Sequence, residues 1–189
     1  MDKLDSFWEE LKFEVGTIGI NSTRGDEILI GSGSKNPEIL FIGDDPTLYE
    51  DESLRVGANT SGEFLIKLCD IEGITPDQYY ITTLAKRECK FSSYLPNEKK
   101  RLHEILMMQI ALLKPRIIVG LGGNVGEVLL NRFIKIQDER GKVIPWRGDI
   151  KLILTYDVNF VKKSRNEMGK KSKVAIEFWN DLKFLKSEL

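Results

Sequence analysis

Residues 37–51 read PEILFIGDDPTLYED, and this stretch decides the fold class. Its apolar run, Ile39–Ile42, is short and uninterrupted, which is typical of a strand buried on both faces of a parallel sheet. The Gly-Asp-Asp-Pro sequence at 43–46 then favours a tight turn, and a Glu-Asp pair follows at 50–51, so four carboxylates crowd into one loop. In open α/β sheets, ligands bind beyond the carboxyl ends of the strands. This loop is therefore a candidate site, with a solvated acidic turn as the alternative.

Strands and helices alternate along the rest of the chain. The pattern predicts further strands at 79–85, 116–119 and 151–156, and helices at 3–14, 62–72, 97–113, 125–132 and 174–189. Residues 15–37 are rich in glycine and serine and predict an irregular or short-stranded segment. We therefore expect a single α/β domain over residues 1–189, with three α/β/α layers around a central four-stranded, mainly parallel sheet.

Composition narrows the possible functions. With a net charge of −1, the chain is not basic overall, as many nucleic-acid-binding proteins are, although basic residues cluster locally. Two widely spaced cysteines and one histidine do not provide a disulfide framework or a metal site, so we expect no metal and no cofactor. Residues 1–5 lack a secretory pattern and no stretch suits a membrane helix. We therefore expect a cytoplasmic protein. We also expect a monomer, because one core accounts for the visible apolar faces.

Polar residues follow each predicted strand at the point where it ends. In a parallel sheet these ends share one edge. The acidic and polar members are Asp44, Asp45, Thr83, Asp157 and Asn159, and the basic ones are Lys86, Lys162 and Lys163. We expect acids in a cleft and cations at its rim, a pattern that suits a phosphate-bearing substrate and carboxylate chemistry.

These motifs resemble the uracil-DNA glycosylase superfamily and are most like its family 4 in layout. The matching segments are GDDP at 43–46, ED at 50–51, GEFL at 62–65, YITTLAK at 80–86, QI at 109–110 with the following Pro115 to Gly122, RG at 140–141, and TYDVN at 155–159. They come in the family's order and span nearly the whole chain. The resemblance implies the superfamily's fold and cleavage of the bond between a base and its sugar in DNA, after the nucleotide is rotated out of the helix.

The resemblance also assigns roles to individual residues. Asp44 aligns with the family 4 glutamate and Asp45 with the family 1 aspartate, so either is a candidate to position the attacking water. Candidate substrate-binding residues are Gly43, Pro46, Glu50, Thr83, Asp157 and Asn159. Candidate DNA contacts are Lys86, Lys162 and Lys163.

Three departures fall on positions that are functional in the family. Gly57 replaces the aromatic residue that stacks on the base, Thr83 replaces the asparagine that reads the uracil edge, and Asp157 replaces a histidine. A ring from Tyr49, Tyr156 or Phe160 is a possible substitute. The cysteines of the family's iron–sulfur cluster are also missing, so we expect no cluster.

Two other functions remain open from the sequence. The same fold could recognise DNA or a nucleotide without catalysis. A glycine-rich segment at 120–126 follows a strand and suggests dinucleotide binding, but it lacks the GxGxxG spacing.

Overall fold

A six-stranded sheet organises the chain in this computed structural model, which describes residues 2–19, 28–86 and 89–189. Four parallel strands form the centre, and a short antiparallel strand pairs with each edge. The strands are β1 (Ser32–Gly33), β2 (Ile39–Gly43), β3 (Tyr79–Thr83), β4 (Ile117–Leu121), β5 (Val143–Pro145) and β6 (Lys151–Thr155). They lie in the order β1-β3-β2-β4-β6-β5 across the sheet.

Helices cover both faces of the sheet. They are α1 (Lys3–Thr17), α2 (Ser61–Ile71), α3 (Pro96–Leu113), α4 (Gly123–Leu130), α5 (Ile136–Glu139), α6 (Val158–Met168) and α7 (Lys173–Ser187). Short 3₁₀ turns occur at Pro76–Gln78, Phe91–Ser93 and Gly169–Lys171. Within the parts of the chain that the structure describes, none of the helices has both the length and the apolar character to cross a membrane.

Successive residues of the central strands face opposite helical layers. Leu40 and Ile42 pack in the core that includes α1, α3 and α4. Ile39 and Phe41 pack in the other core, which includes α2, α6 and α7. All five residues of β2 are buried, because a central parallel strand is covered on both faces. The expected three-layer α/β/α architecture is confirmed.

The structure corrects some of the predicted elements. The sheet has six strands rather than four, because β1 and β5 span only two and three residues and show no periodicity. Helix α6 was not predicted, since only Val158 and Val161 are buried in a segment that is otherwise polar and basic. Part of the segment predicted to be irregular, residues 20–27, lies outside the described residues.

Candidate active site

The carboxyl ends of the four parallel strands lie side by side and position the candidate residues. The register places Gly43 of β2 opposite Thr83 of β3 and Leu121 of β4 opposite Thr155 of β6. Asp44 follows directly after the first of these ends, and Asp157 follows two residues after the last. The candidate acids therefore meet at one edge of the sheet, as expected from the sequence.

Asp44 lies at the centre of this edge and is 7% exposed. Its Oδ1 accepts the backbone N–H of Phe91 at 2.9 Å, and its Oδ2 accepts Nδ2 of Asn124 at 2.9 Å. These two bonds fix the carboxylate between the segments that follow β3 and β4. Burial raises its pKa; the Phe91 N–H and the charge of Lys90 oppose this rise, and the charge of Asp157 adds to it.

Asp45 makes its hydrogen bonds within the acidic turn and to the start of α2. Its Oδ1 accepts the backbone N–H of Thr47 at 2.9 Å and the Thr47 hydroxyl at 2.7 Å. Its Oδ2 accepts the hydroxyl of Ser61, the first residue of α2. Three donors thus occupy this carboxylate and tie the acidic turn to the start of a helix. Asp45 holds the loop in shape, and Asp44 is the acid with fewer internal bonds.

Asp157 closes the opposite side of the site and caps α6. Its Oδ2 accepts the backbone N–H of Phe160 at 3.0 Å, so the side chain is held in a defined direction. Burial raises its pKa; the Phe160 N–H lowers it, Asp45 raises it, and Lys90 lowers it. The electrostatic interactions of Asp157 with Asp44 and Asp45 indicate that acids from both ends of the sheet face the same space.

Thr83 and Lys86 are engaged within the protein. The Thr83 hydroxyl lies 3.3 Å from the hydroxyl of Tyr49 and accepts the backbone N–H of Lys86 at 2.9 Å. The Lys86 ammonium is buried and donates to Thr82 Oγ1 at 2.8 Å and to the Thr83 carbonyl at 2.9 Å. Burial lowers the pKa of Lys86 to about 7. This inward orientation corrects the expectation that Lys86 lies at the rim, because a side chain buried in this way does not reach a phosphate.

The loop between β2 and α2 carries three further candidates. Glu50 Oε1 accepts the backbone N–H of Gly57 at 2.9 Å, and a Cβ at position 57 would lie 2.5 Å from the same oxygen. The loop is therefore closed over a glycine that has no room for an aromatic ring without rearrangement. Pro46 is exposed. Gly43 is required where it lies, since a Cβ there would approach Leu48 Cδ1 to 2.3 Å.

Helix α6 presents the remaining candidates. Asn159 lies in its first turn and is partly exposed, and Lys163 is exposed. Lys162 donates to the Asn59 carbonyl, so it ties α6 to the loop before α2. Phe160 is 51% exposed and its ring makes an edge contact with Tyr156 at 5.7 Å between centroids.

The sequence interpretation gave no role to two residues that hold Asp44. Asn124 lies within the glycine-rich segment at 120–126, which was the available signal. Phe91 contributes a backbone N–H, which any residue type except proline could supply. Its part in the site has no sequence signature.

The residues present do not fit the iron–sulfur cluster of the family that the motifs resemble. Four cysteine ligands are needed, and the chain has two. Cys69 is a buried residue of α2, and the Cys89 thiol contacts the Tyr94 hydroxyl at 3.2 Å. Among the described residues, no group of three or more His, Cys, Asp or Glu side chains could hold a metal.

Comparisons with known proteins show the family of the chain. Residues 30–183 match the family described as the Uracil DNA glycosylase superfamily. The Type-4 uracil-DNA glycosylase of Thermotoga maritima is 27% identical over 141 residues, which cover 74% of this chain and 73% of that protein. The protein of the same name from Sulfurisphaera tokodaii is 28% identical over 168 residues, 82% of this chain and 73% of its own length. The one from Archaeoglobus fulgidus is 27% identical over 134 residues, 67% of each chain.

Proposed function

Because the chain belongs to the uracil DNA glycosylase superfamily, we propose that it hydrolyses the N-glycosidic bond of uracil or a related damaged base in DNA. The observation that carries this proposal is the position of Asp44. A buried carboxylate is held by two neutral donors at the meeting point of the strand ends. Such an acid retains a capacity to accept a proton and to stabilise a nearby cation.

The reaction needs both of these capacities. As the base leaves, positive charge develops on the sugar and negative charge on the base. The ionised Asp44 stabilises the sugar cation electrostatically and orients a water molecule toward the anomeric carbon. The partial burial of the site strengthens this interaction, because the effective dielectric constant is lower than in bulk water.

The neighbouring residues support this acid in different ways. Asp45 maintains the Gly43–Pro46 turn through its bonds to Thr47 and Ser61. We assign Glu50 to the closure of the loop over Gly57. The Gly43–Pro46 backbone and the Thr83 strand end form one wall of the pocket for the everted base.

The opposite wall and the rim come from α6. Phe160 presents an exposed ring close to Asp157 in the chain. This ring takes the place of the stacking aromatic residue that is missing at Gly57. Stacking of a base on an aromatic ring contributes about 1–3 kcal/mol. Asn159 and Lys163 lie on the same helix and contact the DNA backbone, and Lys162 holds the loop before α2 and adds to the positive charge of the rim.

The test is base release from oligonucleotides that carry one uracil, one hypoxanthine or one oxidised base. Alkali converts each abasic product into a strand break. We expect Asp44→Asn to lower the single-turnover rate by about 100- to 10,000-fold, the range for loss of a general base. Asp70→Asn is the matched control, because Asp70 is an exposed acid on α2, and it should leave the rate unchanged. Equal rates for the two variants contradict the role of Asp44.

The alternative of a binding module without catalysis is supported by the internal bonds of Thr83, which lies where the family has its base-reading asparagine. Binding to uracil-containing DNA that weakens with salt, with no abasic product for any base in the panel, favours that alternative. If each Lys162 or Lys163 contact neutralises one phosphate, Lys163→Ala reduces the salt slope on duplex DNA by about 0.9.

A further inference from the structure

The segment between β3 and α3 forms one side of the candidate site and carries two cations. The backbone N–H of Phe91 in this segment donates to Oδ1 of Asp44 at 2.9 Å, so the segment is fixed against the acid. Lys90 directly precedes Phe91 and is exposed. The ammonium of Lys99, near the start of α3, lies 5.8 Å from the centroid of the Phe91 ring. Phe91 thus holds the acid with its backbone and a cation with its ring. We call Lys90, Phe91 and Lys99 the β3–α3 wall.

The two lysines of the wall remain available to an anionic ligand. Among the residues that the structure describes, neither forms an ion pair with an acid. Arg101 of α3 differs, because it pairs with Glu14 and Glu104. The charge of Arg101 is therefore used within the protein, whereas the charges of the wall are not.

The acidic edge of the sheet needs cations if DNA is to approach it. Asp44, Asp45 and Asp157 interact electrostatically there, and ionised carboxylates repel phosphates. Burial raises the pKa of Asp44 and of Asp157, and the charge of Lys90 opposes the rise at both. A cation that acts on both acids also reduces the repulsion that an approaching phosphate meets.

The wall and α6 lie on opposite sides of the site. The wall follows β3, and α6 follows β6 and carries Lys162 and Lys163. Strands β2 and β4 separate β3 from β6, a distance of three strand spacings or about 14 Å. A nucleotide everted toward Asp44, which follows β2, therefore has basic residues on both sides.

We propose that the β3–α3 wall binds DNA, with Lys90 and Lys99 on backbone phosphates of the strand that carries the everted nucleotide, on the side away from α6. This inference rests on the proposed function and adds a second arm to its DNA-binding surface. Lys86, the cation expected after β3 from the sequence, is buried and bonded inward, so the wall takes its place. Phosphate contacts carry no base specificity, because every sequence presents the same backbone.

The test is binding to a single-stranded oligonucleotide that carries one uracil, measured by fluorescence anisotropy between about 50 and 200 mM salt. Lys90→Gln and Lys99→Gln should each reduce the slope of log K against log salt by about 0.7, and the double variant by about 1.4. At 0.1 M salt each lost contact corresponds to about fivefold weaker binding. Lys90→Arg keeps the charge and should retain the wild-type slope.

The matched control is Lys114→Gln. Lys114 is also exposed, but it precedes β4 and so lies at the opposite edge of the sheet. Its substitution should leave the slope unchanged. An oligonucleotide with thymine in place of uracil should show the same losses for Lys90→Gln and Lys99→Gln. Losses confined to the uracil oligonucleotide indicate contacts with the base and overturn the phosphate role.

The outcomes separate this inference from the function on which it rests. Unchanged slopes in Lys90→Gln and Lys99→Gln, with base release retained, overturn the wall and leave the glycosylase function intact. Reduced slopes in a protein that releases no base of the panel support the wall and contradict catalysis. A wild type that neither binds DNA nor releases a base overturns both.

Discussion

Two buried aspartates near the carboxyl ends of the strands have different hydrogen-bond partners: Asp181 bonds a cation, and Asp44 bonds neutral groups. Asp181 on α7 is 4% exposed and Asp44 is 7% exposed, so both are removed from water to a similar degree. Arg140 donates to both oxygens of Asp181, at 3.0 and 2.8 Å, and Thr155 adds a hydroxyl at 2.6 Å. Among the described residues, Asp44 receives two N–H groups, both neutral.

Under the proposed function, this difference separates a structural charge, Asp181, from a catalytic one, Asp44. Arg140 also pairs with the Glu177 carboxylate at 2.7 Å and donates to the Glu177 carbonyl, so its guanidinium group is held by α7. Burial raises the pKa of Asp181, and the Thr155 and Arg140 bonds oppose that rise. Burial also raises the pKa of Asp44, but there the opposing groups are the Phe91 N–H, the Asn124 amide and the charge of Lys90, and no arginine bonds the carboxylate among the described residues. A site that acts on a cationic sugar needs an acid whose charge is not already neutralised.

Removal of the cation from the Asp181 cluster should have the largest effect on stability. Arg140→Leu leaves a buried carboxylate without its partner, which costs about 3–5 kcal/mol in the free energy of unfolding. Denaturant titration measures this loss. The control is Arg55→Leu, which breaks an exposed pair with Asp51 and should cost about 1 kcal/mol or less. Equal costs for the two variants contradict a structural role for the buried pair.

Lys86 is buried like Asp181 but, among the described residues, has no partner of opposite charge. Among the described residues its ammonium bonds only Thr82 and Thr83. Its pKa of about 7 in the folded protein lies below the ordinary value of 10.5, so the unfolded chain binds more protons between these pH values. Stability therefore increases as pH rises through this window and is lost as pH falls toward 7.

Lys86→Met should remove this dependence. Between pH 7 and pH 9, the free energy of unfolding of wild type gains about 2 kcal/mol from this group. The variant should lack that gain, as measured by denaturant titration at both pH values. If the free energy of unfolding changes equally with pH in the two proteins, burial does not lower the pKa of Lys86, and the prediction is wrong.

Two glycines with similar backbone conformation test how tightly Asp181 is packed. Gly141 has φ +68° and Gly148 has φ +59°. A Cβ at 141 would lie 2.5 Å from Asp181 Oδ1, whereas a Cβ at 148 meets nothing within 4 Å. Gly148→Ala should cost about 1–2 kcal/mol from the left-handed conformation alone. Gly141→Ala should cost about 1–3 kcal/mol more, because the buried carboxylate must move; thermal unfolding of both variants measures the difference.

The sequence predicted the parts of the molecule that depend on local pattern. The apolar run of β2 and the acidic turn after it are contiguous, so both the strand and the candidate acids could be located. The buried pair of Arg140 and Asp181 joins residues 41 positions apart, and no periodicity connects them. Lys86 was expected at the rim of the cleft because it follows the end of a predicted strand. Its buried position follows from the backbone turn after β3, where its φ is +57°.

The distinction between Asp44 and Asp45 also needed the structure. The two residues are adjacent and chemically identical, so the sequence left either one as the candidate acid. Their roles differ because Thr47 and Ser61 reach only Asp45. The sequence does not show which aspartate the Thr47 and Ser61 hydroxyls bond, because this depends on the geometry of the turn.

The smallest expected change in stability is that of Asp44→Asn, although its effect on the rate is large. Burial raises the pKa of Asp44 above its unfolded value, so the ionised form destabilises the folded protein, and stability falls as pH rises through that window. A neutral amide removes this cost. Its oxygen accepts the Phe91 N–H, and a flip of the Asn124 amide satisfies its nitrogen. Denaturant titration at pH 7 should therefore show a change within about 1 kcal/mol, in the stabilising direction. Asp181→Asn at the same pH should destabilise, because it weakens the pairing with Arg140. If the two substitutions destabilise equally, Asp44 is a second structural charge, and the contrast between the two clusters is lost.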